Sequence, residues 1–393
     1  MDYNPLVPEV MTNPYPYYTY LRRHAPVYKV ESLDWWAITH YDDIMSIVKD
    51  YQRFSNEHYL PAISEDTFNP FVDAPMMVGS DPPVHTRLRK LVNRAFTPRI
   101  IASLEPRIQE ITQALLAKIA AKGAFDLMQD FAIPLPVQVI GEMLGVELER
   151  RDDFKRWTDT FAEVIGGKKL DAQQQQDIVE YRAYIQHLIQ ARRKAPQSDL
   201  ISELIRAEEE EQRLTVAEIF NIGVLLLIAG NETTTNLIGN TVLALLKNPG
   251  ELAKVRTNPA LVTNLVEEGL RYDSPVQAEF RHTTEEVTLR GVKIPAKATV
   301  LILFGSGNRD EEKFGDPDRF DTTRPNAQEN IAFGYGIHFC LGAPLARLEG
   351  QIALEALVPL LSQTAWQEEQ VTRRLLLHQL RGLLSFPMTL KGY

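Results

Sequence analysis

FGYGIHFCLG, residues 333–342, contains Cys340, the single cysteine in a chain of 393 residues. Two glycines before the cysteine and one after it permit a tight backbone turn against a flat, bulky group. Residues 343–349 predict a helix with proline in its first turn. The sulfur would then lie near a helix N-terminus, where free N–H groups and the helix dipole stabilise a thiolate. Both a nucleophile and an axial iron ligand require that form.

A lone cysteine is also commonly a small buried apolar residue, and the residue type alone leaves this alternative open. One cysteine excludes an intrachain disulfide and any metal site built from several thiolates, such as a zinc ribbon. The count fits a reducing cytoplasm, where we expect the protein. The first 20 residues contain four prolines and neither a basic segment nor a long apolar stretch, so we predict no signal peptide or membrane anchor.

The charge balance argues against polyanionic partners. The chain has 42 Lys and Arg against 52 Asp and Glu, and its net charge of −10 opposes generic binding to nucleic acid or to an anionic membrane. Apolar residues make up 44% of the chain and charged residues 24%, which is typical of a soluble globular protein. Residues 82–104 are an exception because they include several basic side chains and no acidic one.

The order of elements predicts a mainly α, α+β architecture in a single domain, 1–393. Two runs rich in β-branched and aromatic residues, 27–30 and 35–39, predict a β-hairpin. Residues 87–270 repeat apolar side chains at helical spacing, so we predict that the middle of the chain is α-helical.

Strand character returns at 287–289 and 299–303, on either side of a turn region with Gly291 and Pro295, so we expect a small sheet after the helices. The proline-rich segment 59–83 predicts a long irregular loop. The polar residues 166–176 predict a mobile connection between helices.

One helix is predicted to be much longer than the others. Thr215 followed by Glu218 is a capping box, and 248–250 is a stop signal. They enclose about 32 residues, or roughly 48 Å of helix. The apolar run 222–229 is far shorter than the roughly 20 residues that a bilayer requires, so we predict a buried helix. Gly230 followed by threonines is poor helix material, and we expect a kink there.

The cysteine segment resembles the signature of the cytochrome P450 family of haem-thiolate monooxygenases. The signature's phenylalanine, glycine, cysteine and second glycine correspond to Phe333, Gly336, Cys340 and Gly342. The resemblance implies haem b as the cofactor, Cys340 as its iron ligand and Phe333 beside the sulfur. It also implies the P450 fold, in which a helix-rich domain with small antiparallel sheets buries the haem between the long central helix and the cysteine loop.

Two further patterns occur in the order that the family requires. Glu268 and Arg271 are three positions apart on a predicted helix and can form a charge-assisted pair, although this spacing alone is more typical of a surface pair. With Arg324 they resemble the family's Glu-Arg-Arg triad, which implies a structural role in holding the cysteine loop. Glu232 and Thr233 resemble the family's acid and alcohol pair, which implies proton delivery; a helix that merely tolerates threonine is the alternative.

The resemblance also implies contacts to the cofactor. Four cationic or hydrogen-bonding side chains would meet the haem propionates, which need such partners when buried: His85, Arg89, Arg281 and His338. A solvated surface is the alternative for each of them. Further haem contacts are implied at Phe333, Gly336, Gly342 and Ala229.

Substrate contacts are implied in the loop near 71–78 and at six further positions: Leu225, Ile228, Gln277, Ala278, Leu384 and Ser385. Most of these side chains are apolar, which indicates a small lipophilic substrate held mainly by shape. Packing in the core is the alternative for each position.

By resemblance the protein is an enzyme that activates O2 and inserts one oxygen atom by hydroxylation or epoxidation, with electrons from NAD(P)H through a ferredoxin and its reductase. The basic face at Arg87 and Arg94 is the predicted docking surface for an acidic ferredoxin, since opposite charges accelerate encounter. Three alternatives stay open: a hydrogen-peroxide-dependent peroxygenase, a non-catalytic haem-thiolate sensor or carrier, and a hydrolase with Cys340 as nucleophile and His338 as base.

Overall fold

The computed structural model describes residues 2–57, 74–165, 170–210, 214–375 and 378–391. The chain groups into two compact units. The first unit comprises Met1–Asn56, Gln109–Ala132 and Thr233–Tyr393, and the second comprises Glu57–Ile108 and Ile133–Glu232.

Helices dominate the described residues, as the sequence predicts. Their bounds are α1 Pro8–Thr12, α2 Tyr15–His24, α3 Tyr41–Lys49, α4 Val84–Asn93, α5 Pro98–Lys122, α6 Pro134–Leu144, α7 Arg151–Ile165, α8 Ala172–Lys194, α9 Leu200–Glu210, α10 Val216–Lys247, α11 Pro249–Thr257, α12 Val262–Tyr272, α13 Phe304–Gly307 and α14 Ala343–Leu361. The strands are short by comparison. They are β1 Val27–Val30, β2 Trp35–Ile38, β3 Phe54–Ser55, β4 Ala124–Asp126, β5 Glu279–Thr283, β6 Val287–Leu289, β7 Val292–Ile294, β8 Thr299–Ile302, β9 Thr364–Ala365, β10 Thr372–Arg373, β11 Leu383–Ser385 and β12 Pro387–Leu390.

The largest sheet belongs to the first unit and has the strand order β1-β2-β8-β5-β3. β1 and β2 form the predicted antiparallel hairpin, in which Val27 is opposite Ile38. β2 pairs with β8 in parallel, whereas β5 pairs with both of its neighbours antiparallel. The sheet therefore joins the hairpin near the N-terminus to strands from the last third of the chain.

Both faces of this sheet are buried. Because successive side chains of a strand point to opposite faces, Ile38 and Ile302 pack in one apolar cluster. Ala37, Leu301 and Phe280 pack in another cluster on the opposite face, against α2. The apolar runs of β2 and β8 are thus explained by burial on two sides.

The predicted strands at 287–289 and 299–303 are present as β6 and β8, but they belong to different sheets. β6 instead pairs with β7, which the sequence analysis did not recognise as a strand. The connection is a two-residue turn in which Arg290 and Gly291 have φ of 48° and 80°. Positive φ at both positions is typical of the tight turn that closes a hairpin, so this local turn decides the partner of β6.

The predicted mobile connection is also partly wrong. Gln173 to Gln176 lie in α8, whose N-cap Asp171 forms a capping box with Gln174. Residues 166–169 lie outside the described residues, as do residues 58–73 of the predicted irregular loop.

The long helix is present as α10, with 32 residues. Thr215 N–H donates to the Glu218 carboxylate at 2.8 Å, and Glu218 N–H donates to Thr215 Oγ1 at 3.1 Å, so the capping box is confirmed. α10 is apolar and long enough to cross a membrane by those two criteria alone, but 56% of its most apolar window is buried inside the protein. The helix is unbroken through 229–234, where we expected a kink. A bend of its axis stays a prediction.

Candidate active site

Glycine conformations shape the cysteine loop, 333–342. Gly334 and Gly336 have φ of +67° and +73°, a region that other residues rarely adopt. A Cβ at Gly336 would also lie 2.3 Å from the Val48 carbonyl oxygen at the end of α3. The Cys340 N–H closes the loop by donating to the Phe333 carbonyl at 3.0 Å. The two glycines that precede the cysteine are thus required by this backbone.

Gly342 differs from these two glycines. It is the N-cap of α14, and its φ of −80° is open to any residue. A Cβ there would meet only the Cys340 Sγ, at 4.0 Å, among the described atoms. Neither the backbone nor a protein neighbour therefore requires glycine, which leaves space beside the half-buried sulfur. A flat group bound to that sulfur fits this space. The chemistry of the sulfur agrees, because a single thiol at the N-terminus of a 19-residue helix is favoured as a thiolate.

The aromatic side chains of the loop differ in their surroundings: Phe333 packs against an arginine, whereas Tyr335 and Phe339 are exposed. The Arg347 guanidinium lies 4.6 Å from the centre of the Phe333 ring and forms an ion pair with Glu267 at 2.5 Å. Tyr335 and Phe339 are 47% and 37% exposed, respectively. Arg347 was missed at the sequence level because its partner Glu267 lies 80 positions earlier in the chain.

The predicted pairing within the triad is confirmed. Arg271 donates to the two carboxylate oxygens of Glu268 at 2.7 and 2.8 Å, and Arg324 Nε lies 3.2 and 3.1 Å from the same oxygens. The surface alternative is excluded because Glu268 and Arg271 are fully buried and Arg324 is 5% exposed. Burial lowers the pKa of Arg271, and the bond to Glu268 opposes that effect. The remaining donors bind main-chain carbonyls of Asn308, Gly315, Asp316, Pro317 and Arg319.

Asn308 connects the triad to the start of the cysteine loop. Its carbonyl accepts a hydrogen bond from Arg271 at 2.9 Å, and its Oδ1 accepts one from the Ile331 N–H at 2.7 Å. The Ile331 carbonyl in turn accepts from the Gly334 N–H at 2.9 Å. No motif in the sequence marks Asn308, because its role depends on partners from distant segments.

One accessible stripe on α10 carries the residues predicted to contact the substrate, to contact the haem and to deliver protons. Leu225, Ile228, Ala229, Glu232 and Thr233 are exposed or half-buried, whereas most of the helix around them is buried. Spacings of three and four residues place these positions on one face. The stripe is apolar at its N-terminal end and polar at Glu232 and Thr233.

Neighbouring polar side chains of α10 bind main-chain carbonyls. Asn231 Nδ2 donates to the Leu227 carbonyl four residues earlier, at 2.7 Å. Thr235 Oγ1 donates to the Ala132 carbonyl at 3.0 Å. An i−4 carbonyl is therefore taken by Asn231, which the sequence analysis did not single out.

The predicted propionate partners are divided between the units. His85 and Arg89 belong to α4 of the second unit, one helical turn apart. Burial lowers the pKa of His85, and the Arg89 charge adds to this effect. Arg281, which is 5% exposed on β5, and His338 belong to the first unit. Convergence of all four on one group stays a prediction.

Two predicted substrate contacts are wrong. Ala278 is 1% exposed and packs in the apolar cluster of Phe280 and Leu301. Gln277 is 2% exposed, and its Nε2 donates to the Ser274 carbonyl at 2.8 Å. The residue types could not reveal this, because burial here results from the sheet packing on α2.

The other predicted contacts near the C-terminus lie on β11. Leu384 is 48% exposed, while Ser385 donates to the Asp126 carboxylate. The Ser385 hydroxyl thus has a structural partner in the same unit. Residues 71–73 of the predicted contact loop lie outside the described residues.

The basic face needs one correction. Arg87 forms an ion pair with Glu218, the residue that caps α10, so its charge is neutralised within the second unit. Lys90 and Arg99 are exposed, and Arg94 is half-buried. Arg87 therefore stabilises the start of α10 and is not an open docking charge.

The comparisons agree with this geometry. Residues 11–383 match the family model described as Cytochrome P450. The chain belongs to the cytochrome P450 family. Cytochrome P450 107B1 from Saccharopolyspora erythraea is 44% identical over 86% of this chain and 85% of that protein. A vitamin D(3) 25-hydroxylase from Pseudonocardia autotrophica is 42% identical over 96% of this chain and 94% of that one. The structure of CYP109Q5 from Chondromyces apiculatus matches with a TM-score of 0.92 and 39% identity, over 99% and 98% of the two chains.

Membership confirms the P450 fold and the class of enzyme. This P450 is an oxygen-incorporating oxidoreductase, and P450 proteins bind haem b through a cysteine. The open space beside Cys340 fits that cofactor. The sensor and hydrolase alternatives are therefore set aside.

Proposed function

We propose that this P450 hydroxylates or epoxidises a bulky lipophilic small molecule in the cytoplasm, with electrons from NAD(P)H delivered through a ferredoxin and its reductase. The accessible stripe of α10 is the observation that carries this proposal. It presents apolar side chains next to an acid and an alcohol, the combination needed to hold an apolar molecule and to move protons.

Cys340 would hold the haem iron as a thiolate. When bound, the haem supplies the site that activates O2. The sulfur lies before the first turn of α14, whose dipole and free N–H groups favour the charged form. The neighbouring Phe333, fixed by Arg347, limits the access of water to the sulfur. Arg281 and His338 from the first unit, and His85 and Arg89 from the second, would bind the propionates.

Glu232 and Thr233 would deliver protons to the reacting oxygen. Both side chains are half-buried, so each is accessible on a helix that is otherwise largely buried. The Glu232 carboxylate would collect a proton from water, and the Thr233 hydroxyl would donate a hydrogen bond next to the reacting atoms.

The relatives support a bulky substrate. The names of two similar proteins specify hydroxylation of vitamin D(3) and of 6-deoxyerythronolide B. A solved relative, CYP109E1 from Bacillus megaterium, is described in complex with testosterone. Leu225 and Ile228 offer such a molecule apolar contact and no polar anchor, so shape would determine selectivity.

The ferredoxin would dock on the basic stretch 82–104. We retain Arg94 as the test position and exclude Arg87, because a change at Arg87 would also disturb the cap of α10. Association would depend on salt, since exposed charges steer a partner less when they are screened.

The function is tested by a substrate screen. Haem spin-state shifts of the purified holoprotein identify binders among sterols and macrolides, and a surrogate ferredoxin with its reductase then supports turnover. We expect a product with one added oxygen atom, dependent on NAD(P)H and O2. Efficient turnover with hydrogen peroxide and no reductase would instead establish the peroxygenase alternative.

Thr233→Ala tests the proton pathway. We expect unchanged spin-state titration but several-fold less product per NADPH, with the missing electrons recovered as hydrogen peroxide. Thr234→Ala is the matched control, because Thr234 is a neighbouring threonine that is 3% exposed. Equal coupling in wild type and Thr233→Ala would refute the assigned role.

A further inference from the structure

Two polar contacts hold the segment 74–87 against the N-terminal half of α10, within the second unit. Asn221 Nδ2 donates to the Ala74 carbonyl at 3.1 Å. Arg87 on α4 forms an ion pair with Glu218, which lies three positions before Asn221 on α10. The segment is therefore attached at both of its ends to one short stretch of α10, and all four residues belong to the same unit.

Asn221 lies on the face of α10 that carries the accessible stripe. Leu225 follows it by four positions, Ile228 by seven and Glu232 by eleven, which are spacings that repeat along one side of a helix. Asn221 itself is 2% exposed, whereas Leu225 and Ile228 are half-buried. The bond to the Ala74 carbonyl therefore lies one helical turn before the apolar end of the stripe.

The segment carries apolar side chains between its two attachments. Met76 and Val78 are half-buried, and Met77 is 8% exposed. The Ser80 hydroxyl donates to the Met76 carbonyl at 2.6 Å, which closes a turn within the segment. The segment thus combines a main chain fixed by hydrogen bonds with side chains suited to apolar contact.

Loss of the Asn221 amide would act on this segment more than on α10. A carbonyl that loses a buried donor bears a free-energy penalty unless it moves to water. The ion pair of Arg87 with Glu218 and the capping box at Thr215 would still hold the start of α10. Removal of the Asn221 side chain should therefore release the main chain near Ala74 without unfolding the helix.

We propose that Asn221 is a positioning residue that determines substrate selectivity, because it fixes the main chain at Ala74 next to the apolar end of the stripe. This inference rests on the proposed function, since it takes the stripe as the place where a lipophilic substrate binds. A bulky substrate that extends past Leu225 would contact the fixed segment, whereas a small one bound farther along α10 would not. Asn221 would therefore act selectively on large molecules and touch no reacting atom.

Azole ligands of two sizes test this role without turnover. Clotrimazole is bulky and imidazole is small, and each shifts the Soret band of a P450 holoprotein when its nitrogen binds the haem iron. From Asn221→Ala we expect clotrimazole to dissociate about 5- to 10-fold faster than from wild type, and imidazole to dissociate at the wild-type rate. An equal change for both ligands, or no change for clotrimazole, would overturn the proposal.

Two further variants separate this role from a general loss of stability. Asn248→Ala is the matched control, because Asn248 Nδ2 donates to the Ala244 carbonyl at 2.8 Å at the other end of α10. It should release both azoles at wild-type rates. Asn221→Leu removes the donor at nearly constant volume and should reproduce the result of Asn221→Ala, so it decides the question if Asn221→Ala takes up no haem.

Hydrogen exchange and substrate kinetics complete the test. The main-chain amides of 76–80 should exchange faster in Asn221→Ala than in wild type, and unchanged exchange would contradict the release of the segment. For the bulkiest substrate found in the screen, KM should rise several-fold while kcat stays at the wild-type value. If wild type binds no sterol or macrolide, the proposed substrate class fails, and the azole rates still decide the role of Asn221.

Discussion

The segment 308–324 and the cysteine loop, 333–342, are close in sequence but are built in opposite ways. The first is held by two buried guanidinium groups, those of Arg271 on α12 and of Arg324, which bind the Glu268 carboxylate and main-chain carbonyls of the segment. In the second, glycine conformations and a main-chain hydrogen bond set the path, and the cysteine remains half-buried. The contrast indicates that a saturated buried network supports a loop whose reactive side stays open.

Removing the charge of Glu268 should have the largest effect. Glu268→Gln leaves two buried guanidinium groups without a carboxylate, which costs about 3–5 kcal/mol. We expect little holoprotein, measured by the haem-to-protein absorbance ratio. We also expect a lower midpoint of unfolding in a urea titration. Glu285→Gln is the control, because Glu285 is exposed. Wild-type haem content in Glu268→Gln would show that the loop does not depend on this support.

The glycines of the loop provide a second, smaller test. Gly336→Ala combines a positive φ with a contact of 2.3 Å to the Val48 carbonyl, so we expect a loss of about 1–3 kcal/mol in the free energy of unfolding. Gly342→Ala meets neither obstacle, so its apoprotein should have the same free energy of unfolding as the wild-type apoprotein. It should nevertheless bind haem more weakly, because its methyl group occupies the space beside Cys340. Equal haem affinity in Gly342→Ala and wild type would contradict the fit.

A third test concerns Glu349, a buried carboxyl on α14. Oε2 of Glu349 has no hydrogen-bond partner in the described structure, and burial raises its pKa to about 8. The folded state therefore keeps a proton that the unfolded chain loses above its ordinary pKa, so this group contributes stability that falls as pH rises towards 8.

Glu349→Gln should remove that dependence. Between pH 6 and pH 7 the wild type should lose about 1 kcal/mol more than the variant in chemical denaturation. Parallel pH profiles for the two proteins would contradict a neutral Glu349.

The smallest effect is expected on the outer surface. Arg94→Glu should slow reduction by ferredoxin a few-fold at low salt and leave the haem content unchanged, with the difference shrinking at high salt. Arg256→Glu, an exposed change on α11, is the control. Stopped-flow reduction rates that are equal for wild type and Arg94→Glu would exclude this docking position.

Local patterns explain what could be predicted from the sequence. The cap at Thr215 and Glu218, the spacing of Glu268 and Arg271, and the turn around Cys340 are each set within a few residues, so propensity and spacing reveal them. By contrast, the ion pair of Arg87 with Glu218 joins residues 131 positions apart. The burial of Ala278 likewise depends on strands that are remote in sequence. Neither has a local signal.

The ferrous carbonyl spectrum of the purified holoprotein, compared with that of Cys340→Ser, tests the central claim most directly. We predict that wild type shows the red-shifted Soret band of a thiolate-bound haem and that Cys340→Ser lacks it. A wild-type protein that takes up no haem, or a Soret band at the same position in both proteins, would contradict the assignment of Cys340 as the iron ligand.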